Sequence, residues 1–237
     1  MSKMISFKSF IAEKKSESWE AGYKRRVVKT TKPEHKEDGY KWRIKGKEKD
    51  NISLKLYKTK PDFTEYIVIK FNVGDEIIPV ATLRPETLFG VTNLWINPEI
   101  IYKKVKVDGE TWIISAECAY KLEFLNKKIE IIEDISGSQL IGKKVHSPTS
   151  EDEFLILPAS FVTATTGTGI VMSVPAHAPY DFQALEDIRN GNQKNIEDSL
   201  QTEVGKIQPI AIITTEGFGN IPAEDVIKKM GITNQDD

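Results

Sequence analysis

The sequence predicts an α+β fold, a β-barrel-like core with a few helices at its periphery. Short apolar runs rich in β-branched residues recur along residues 66–213, punctuated by Gly, Asp and Pro turn signals. Seven or eight such runs stand against three or four helical stretches. No internal repeat is visible.

Taken in order, residues 1–60 form a basic N-terminal segment with scattered motifs. Phe10 to Ala21 fits a helix anchored by Trp19. Tyr40 to Ile44 and Ile52 to Tyr57 alternate at period two and read as strands. From residue 61 to 237 the pattern sharpens into one domain. Tyr66 to Val73 and Ile77 to Leu83 form a hairpin about Gly74 and Asp75. Tyr102 to Val107 and Thr111 to Ile114 form a second, closed by the tight-turn pair Asp108 and Gly109. Ser115 caps a short helix that turns Cys118 towards the core. Ile129 to Ile132 and Phe154 to Leu157 are strands around a loop at Gly137 and Gly142. Ile170 to Val174 is a strand, and a helix runs from Pro179 to Arg189. Gly191 to Gly205 is polar and expected as a loop, and Pro209 to Ile213 as a late strand. A last helix has Pro222 at its start, Glu224 and Asp225 in its first turn, and Gly231 as its stop.

The chain's 237 residues can bury one substantial core, or one core with an appendage. A hydrophobic share of 39% and a charged share of 29% describe an ordinary soluble protein. No apolar run approaches the roughly 18–20 residues of a membrane span, and the first residues lack a signal-peptide apolar region. A single cysteine excludes an internal disulfide and a cysteine-clustered zinc site, which points to the cytoplasm. Net charge of −2 hides an asymmetry: residues 1–60 hold 18 Lys/Arg and 8 Asp/Glu, the rest 15 and 27. The basic segment is either a nucleic-acid contact or a solvated leader.

Two stretches can carry chemistry. In the first, Ala81 to Gly90, Pro85 stops the strand, so Thr82, Arg84, Glu86 and Thr87 cluster at a corner. On spacing alone this is a capped corner, with Arg84 paired to Glu86 or a distant acid and Thr87 capping the next turn. In the second, Thr165 to Phe182, a Gly167-Thr168-Gly169 turn feeds an apolar strand. A loop holding His177 follows, then a helix with Asp181 in its first turn. Glycines allow close approach to a ligand, and an acid at a helix start is an N-cap by default. His35, His146 and His177 are too far apart in sequence for a metal pattern. No nucleophile elbow, phosphate loop or complete dinucleotide fingerprint occurs.

Together these stretches resemble the editing domain, the connective-polypeptide insertion, of leucyl-tRNA synthetases. Residues 81–93 (ATLRPETLFGVTN) are similar to its threonine-rich motif and residues 167–182 (GTGIVMSVPAHAPYDF) to its second editing motif. Asn93 and the run Val174 to His177 favour the leucine enzyme over its isoleucyl and valyl relatives. Leu83 stands where bacterial members carry threonine, and Ala178 where they carry an acid. Both departures point to the archaeal/eukaryotic type.

The resemblance implies the Val/Ile/Leu editing-domain fold of class I synthetases and hydrolysis of the aminoacyl ester on mischarged tRNA-Leu. The wrong residue would be isoleucine, norvaline, methionine or similar. Catalytic roles fall to Thr82 and Arg84 along the ester, Thr87 blocking leucine's branched side chain, and Asp181 anchoring the substrate's ammonium. Leu83, Glu86, Gly167, Thr168, Gly169, Met172, Val174 and His177 would bind substrate, with His177 as readily structuring its loop. No metal or cofactor is implied, and a positioned water would attack. The ATP-dependent charging signatures are absent, so the chain is expected not to aminoacylate. It looks like an excised or freestanding editing domain, a monomer whose partners are the tRNA-Leu 3′ end and, if excised, the rest of the synthetase. A non-hydrolytic tRNA- or amino-acid-binding module of the same fold is the alternative, and a structural domain in which both motifs are corners is a third.

Overall fold

The computed structural model describes residues 66–125, 127–193 and 196–236, together with the backbone of residues 5–6, 40–48 and 51–58. The chain divides into two units, Lys8–Glu65 and a larger one made of Met1–Phe7 and Tyr66–Asp237. In chain order the strands begin with β1 (Ile5–Ser6), β2 (Tyr40–Glu48) and β3 (Asn51–Lys58). In the smaller unit β2 and β3 pair antiparallel, as their period-two patches predict. The helix expected over Phe10 to Ala21 lies outside the described residues.

The larger unit is built on one mixed, ten-stranded sheet. Its remaining strands are β4 (Ile67–Val73), β5 (Glu76–Thr82), β6 (Asn93–Ile96), β7 (Ile101–Val107), β8 (Glu110–Ser115), β9 (Ile129–Ser136), β10 (Lys144–His146), β11 (Glu153–Pro158) and β12 (Val171–Ser173). They lie in the order β12-β6-β11-β10-β4-β5-β8-β7-β9, with β1 added to β4. Most pairs are antiparallel; β6 with β11 and β5 with β8 are parallel. At the second hairpin Asp108 (φ 52°) and Gly109 (φ 96°) both take the left-handed backbone that the tight-turn signal demands.

The sheet curls upon itself. Inward residues from all nine strands of that path, including Phe71, Ile78, Leu94, Tyr102, Ile113, Ile135, Val145, Ile156 and Met172, meet in one core cluster. Near its two ends the curl is stitched by Ser115 N, which donates to Thr168 O just before β12 at 2.9 Å. The core is therefore barrel-like and the helices stand outside it: α1 (Ala116–Glu123), α2 (Pro179–Arg189), α3 (Asp198–Val204) and α4 (Pro222–Met230). Helix α2 packs Ala184, Leu185 and Ile188 against Trp95 and Leu157 in a second cluster.

Ser115 caps α1 as expected, its Oγ accepting from Cys118 N at 3.1 Å. Gly231 ends α4 in the left-handed conformation, φ 69°. Two expectations fail. The polar stretch 191–205 contains α3, whose Val204 is fully buried and whose Leu200 packs beside it. Tertiary packing of those two side chains outweighs a weak local pattern. Residues 209–213 form no strand: Ile210 and Ile213 stay 46% and 59% exposed. An apolar run needs a free strand edge to become a strand, and this one is tethered through Ile212 instead. Strands β1, β6 and β10 carry no sequence signal, because β6 is buried on both faces without alternation and β1 and β10 are only two and three residues long.

Candidate functional site

The threonine-rich corner begins where β5 ends at Thr82. Pro85 lacks an N–H and opens a short 3-10 helix, Pro85–Gly90. Both threonine hydroxyls close the corner on itself: Arg84 N donates to Thr82 Oγ1 at 3.1 Å, and Thr87 Oγ1 donates to Arg84 O at 2.6 Å. Thr87 is thereby fixed in one rotamer with its hydroxyl committed. The expected ion pair of Arg84 with Glu86 does not form, and Arg84 has no ion pair among the described residues. Leu83, Arg84 and Glu86 are exposed. The corner leaves one cation, Arg84, one acid, Glu86, and two apolar side chains, Leu83 and Phe89, in solvent.

The glycine turn lies against this corner. A Cβ on Gly167 would sit 3.1 Å from Ala81 Cβ, so the turn packs on the residue before Thr82. Gly169, at φ 78°, presses on Ser115: a Cβ there would lie 2.6 Å from Ser115 Cβ, closer than any side chain tolerates. Carbonyls of the loop are tied down from the β7–β8 side. Ser115 Oγ donates to Ala164 O at 2.8 Å, and Tyr102 OH donates to Gly169 O at 2.8 Å. Burial pushes the Tyr102 phenol up to about 12, so it remains a donor at any physiological pH. Thr168 is buried and spends its hydroxyl locally, on Ile170 O. Met172 is buried in the barrel core.

Beyond β12 the second motif doubles back. Asp181 is not the N-cap of α2; that position is Ala178, which offers no side-chain cap. Asp181 instead turns inward with 4% of its surface exposed, and each carboxylate oxygen has a donor. Trp95 Nε1 donates to Oδ1 at 3.0 Å, and Val174 N donates to Oδ2 at 2.7 Å. Burial raises its pKa to about 7, against the two N–H donors, which lower it. A buried carboxylate with a near-neutral midpoint is the kind of group that active sites collect. His177 Nε2 accepts the Ile212 N–H at 2.9 Å, which pins residues 207–213 to the motif.

The two motifs therefore adjoin along their length. Besides Gly167 on Ala81, a Cβ on Gly90 would lie 3.5 Å from Val174 Cγ1, and Thr92 N donates to Ser173 O at 3.1 Å. Val174 is the hinge of the arrangement: its side chain meets the threonine-rich corner and its N–H holds Asp181. A cleft of about 370 Å³ borders the corner at Leu88 and Phe89, but neither Thr87 nor Asp181 lines it. Among the described residues no group of three His, Cys, Asp or Glu is placed to hold a metal ion. Sequence reasoning misses Trp95, whose ring lies on the helix-facing side of β6, and Tyr102, which lies inside the barrel; their polar atoms bond Asp181 and Gly169 O. Buried aromatic residues give no signal of that kind in a sequence.

Residues 64–204 match the family described as "Leucyl-tRNA synthetase, editing domain". The chain belongs to the leucyl-tRNA synthetase editing-domain family. Among curated relatives of this editing domain, leucine–tRNA ligase of Pyrococcus abyssi is 50% identical over 182 residues, covering 73% of this chain and 19% of its own length. That of Methanocaldococcus jannaschii is 48% identical over 187 residues, 73% of this chain and 18% of its own. The chain spans about a fifth of the length of the curated relatives it matches. Both are archaeal ligases, in keeping with the archaeal/eukaryotic type of the motifs. The solved structure of GlLeuRS-CP1 is 27% identical with a TM-score of 0.61, over 70% of this chain and 78% of that one. The P. knowlesi cytosolic leucyl-tRNA synthetase editing domain shares the fold with a TM-score of 0.64 at 20% identity, over 73% of this chain and 79% of that one.

Proposed function

We propose that this chain performs post-transfer editing: it hydrolyses the ester linking a wrong amino acid, such as isoleucine, norvaline or methionine, to the 3′ end of tRNA-Leu. The observation that carries this reading is the joint between the motifs, in which Val174 contacts the threonine-rich corner while its N–H grips Asp181. A hydrophobic synthetic pocket separates side chains differing by a methylene by only about 1–3 kcal/mol, so a second hydrolytic site is what the chemistry requires.

The residue roles are those the family resemblance implies, set beside each residue's surroundings. The ionised Asp181 carboxylate attracts the free ammonium of the aminoacyl ester. Thr87, its hydroxyl spent on Arg84 O, acts through bulk and excludes a γ-branched side chain. Thr82, Leu83, Arg84 and Glu86 border the ester from the exposed rim of the corner. Gly167, Thr168 and Gly169 bring backbone close to the terminal nucleotide, which Met172 and Val174 support from beneath. His177 holds the flanking segment through Ile212. A water molecule oriented between these groups attacks the ester carbonyl and gives up a proton to solvent, and as the bond from the carbonyl carbon to the ribose oxygen breaks that oxygen takes a proton from solvent. Among the described residues no helix is long and apolar enough to cross a membrane.

The test is deacylation by the purified chain of tRNA-Leu charged with isoleucine and, separately, with leucine. Hydrolysis of the first and not the second is expected. Binding of both without hydrolysis at any enzyme concentration would replace this reading by the non-hydrolytic module.

A further inference from the structure

Trp95 lies on β6 with no exposed surface, and its ring is held edge-on by Phe161, centroids 6.0 Å apart at 74°. Its indole N–H is a buried donor that must find an acceptor, and the acceptor is Asp181 Oδ1. Val174 N grips the other oxygen, so the carboxylate cannot turn about its own bond without breaking one of two charge-assisted hydrogen bonds. The two donors come from different parts of the fold, a strand of the barrel wall and the backbone just after β12.

We propose that Trp95 is a positioning residue for the editing reaction: its indole N–H fixes the Asp181 carboxylate in the orientation that receives the substrate's ammonium. This rests on the proposed function. Each carboxylate oxygen accepts more than one hydrogen bond, so both retain a lone pair for the incoming cation. Phe at position 95 keeps an aromatic ring in the wall and leaves Oδ1 without its donor.

Removing the donor also has a consequence in pH. Burial holds Asp181 at about 7, and the indole is one of the two N–H donors among the described residues that favour its charged form. Among the described residues no charged side chain perturbs the group; on α4, which packs on α2 through Phe182, Glu224 pairs with Lys228 and Asp225 accepts from Gly219 N. Strands β6 and β12 carry no ionisable side chain. On α2, Glu186 pairs with Arg189, and Asp187 accepts from Gln183 and from Gln235 N. His177 is engaged by Ile212 and Tyr180 is exposed. Loss of the indole therefore moves the carboxylate midpoint upward by about one unit.

The experiment compares wild-type chain and Trp95→Phe on tRNA-Leu charged with isoleucine across pH 5.5–8.5. The acid limb of kcat/KM is expected to move up by about one unit in the variant. Below both midpoints the loss is about tenfold, carried by KM, with most of it recovered near the alkaline end. A merely structural role would lower activity at every pH and leave the limb in place, and that result overturns the proposal. A second measurement needs no variant at position 95. In ¹H–¹⁵N spectra of the wild-type chain, the Trp95 indole resonance, assigned by eliminating Trp19, Trp42 and Trp112 through Phe substitutions, is expected to shift with a midpoint near that of Asp181. An indole signal indifferent to pH across 5.5–8.5 overturns the proposal even if Trp95→Phe does not fold. A wild-type chain that deacylates nothing overturns the proposed function itself and the reaction role of Trp95 with it, whereas normal deacylation with an unmoved acid limb removes the role of Trp95 alone.

Discussion

Gly169→Ala separates two reasons for a glycine in the turn that faces the threonine-rich corner. The residue has φ 78°, a conformation costing an L side chain about 1 kcal/mol. Its new Cβ would also lie 2.6 Å from Ser115 Cβ and 3.0 Å from Ser115 Oγ. Ser115 cannot withdraw cheaply, because it caps α1, donates to Ala164 O through its hydroxyl and bonds Thr168 O through its N–H. Overpacking of this sort adds about 1–3 kcal/mol. The control is Gly74→Ala, at φ 58° in the first hairpin with nothing within 4 Å of the added carbon. Gly74→Ala should cost about 1 kcal/mol and Gly169→Ala about 2–4 kcal/mol, read from urea midpoints at constant m-value. Deacylation by Gly169→Ala should fall more than its folded fraction explains, because the turn is displaced from Ala81. Equal stability losses in the two variants would refute the close packing of the turn on Ser115.

Other outcomes follow from the same geometry. Deacylation should give a bell-shaped pH profile, its acid limb near 7 where Asp181 ionises and its alkaline limb near 8 where an α-ammonium of ordinary acidity loses its proton. The effect of Asp181 on stability runs the other way. Its folded midpoint lies above the unfolded value of 3.8, so its contribution is complete below about 4 and is lost as pH rises through about 7. Cys118 is 4% exposed and burial pushes its thiol up to about 12, so a thiol reagent should label it only at the rate of unfolding. His177→Ala should expose residues 207–213 to proteolysis by releasing Ile212 while changing kcat less than tenfold; a loss of a hundredfold or more would make His177 part of the chemistry.

Much of the barrel was legible because hairpins announce themselves locally. Asp108-Gly109 names its own turn, and the alternation on either side fixes the register. The start of α2 at Pro179 and the stop of α4 at Gly231 are likewise written in single residues. What stayed hidden depends on contacts distant in sequence. Helix α3 exists because Leu200 and Val204 find the second core cluster. Residues 209–213, strand-like in composition, are held by a histidine 35 positions away and never reach a sheet edge. The site shows the same division. The motif residues were readable as motifs, whereas the inward turn of Asp181 rests on Trp95, 86 positions earlier in the chain. An acid in the first turn of a helix reads as a cap until its partners are known.

The most direct test of the central claim, that the two motifs form one hydrolytic sieve, is leucyl-tRNA hydrolysis by Thr87→Ala beside the wild-type chain. Thr87 holds its position through Arg84 O, so its removal takes away bulk at the corner without unpairing a buried polar partner. The wild-type chain should leave leucyl-tRNA intact and cleave isoleucyl-tRNA-Leu, whereas Thr87→Ala should cleave both. A folded Thr87→Ala chain that still spares leucyl-tRNA would contradict the account.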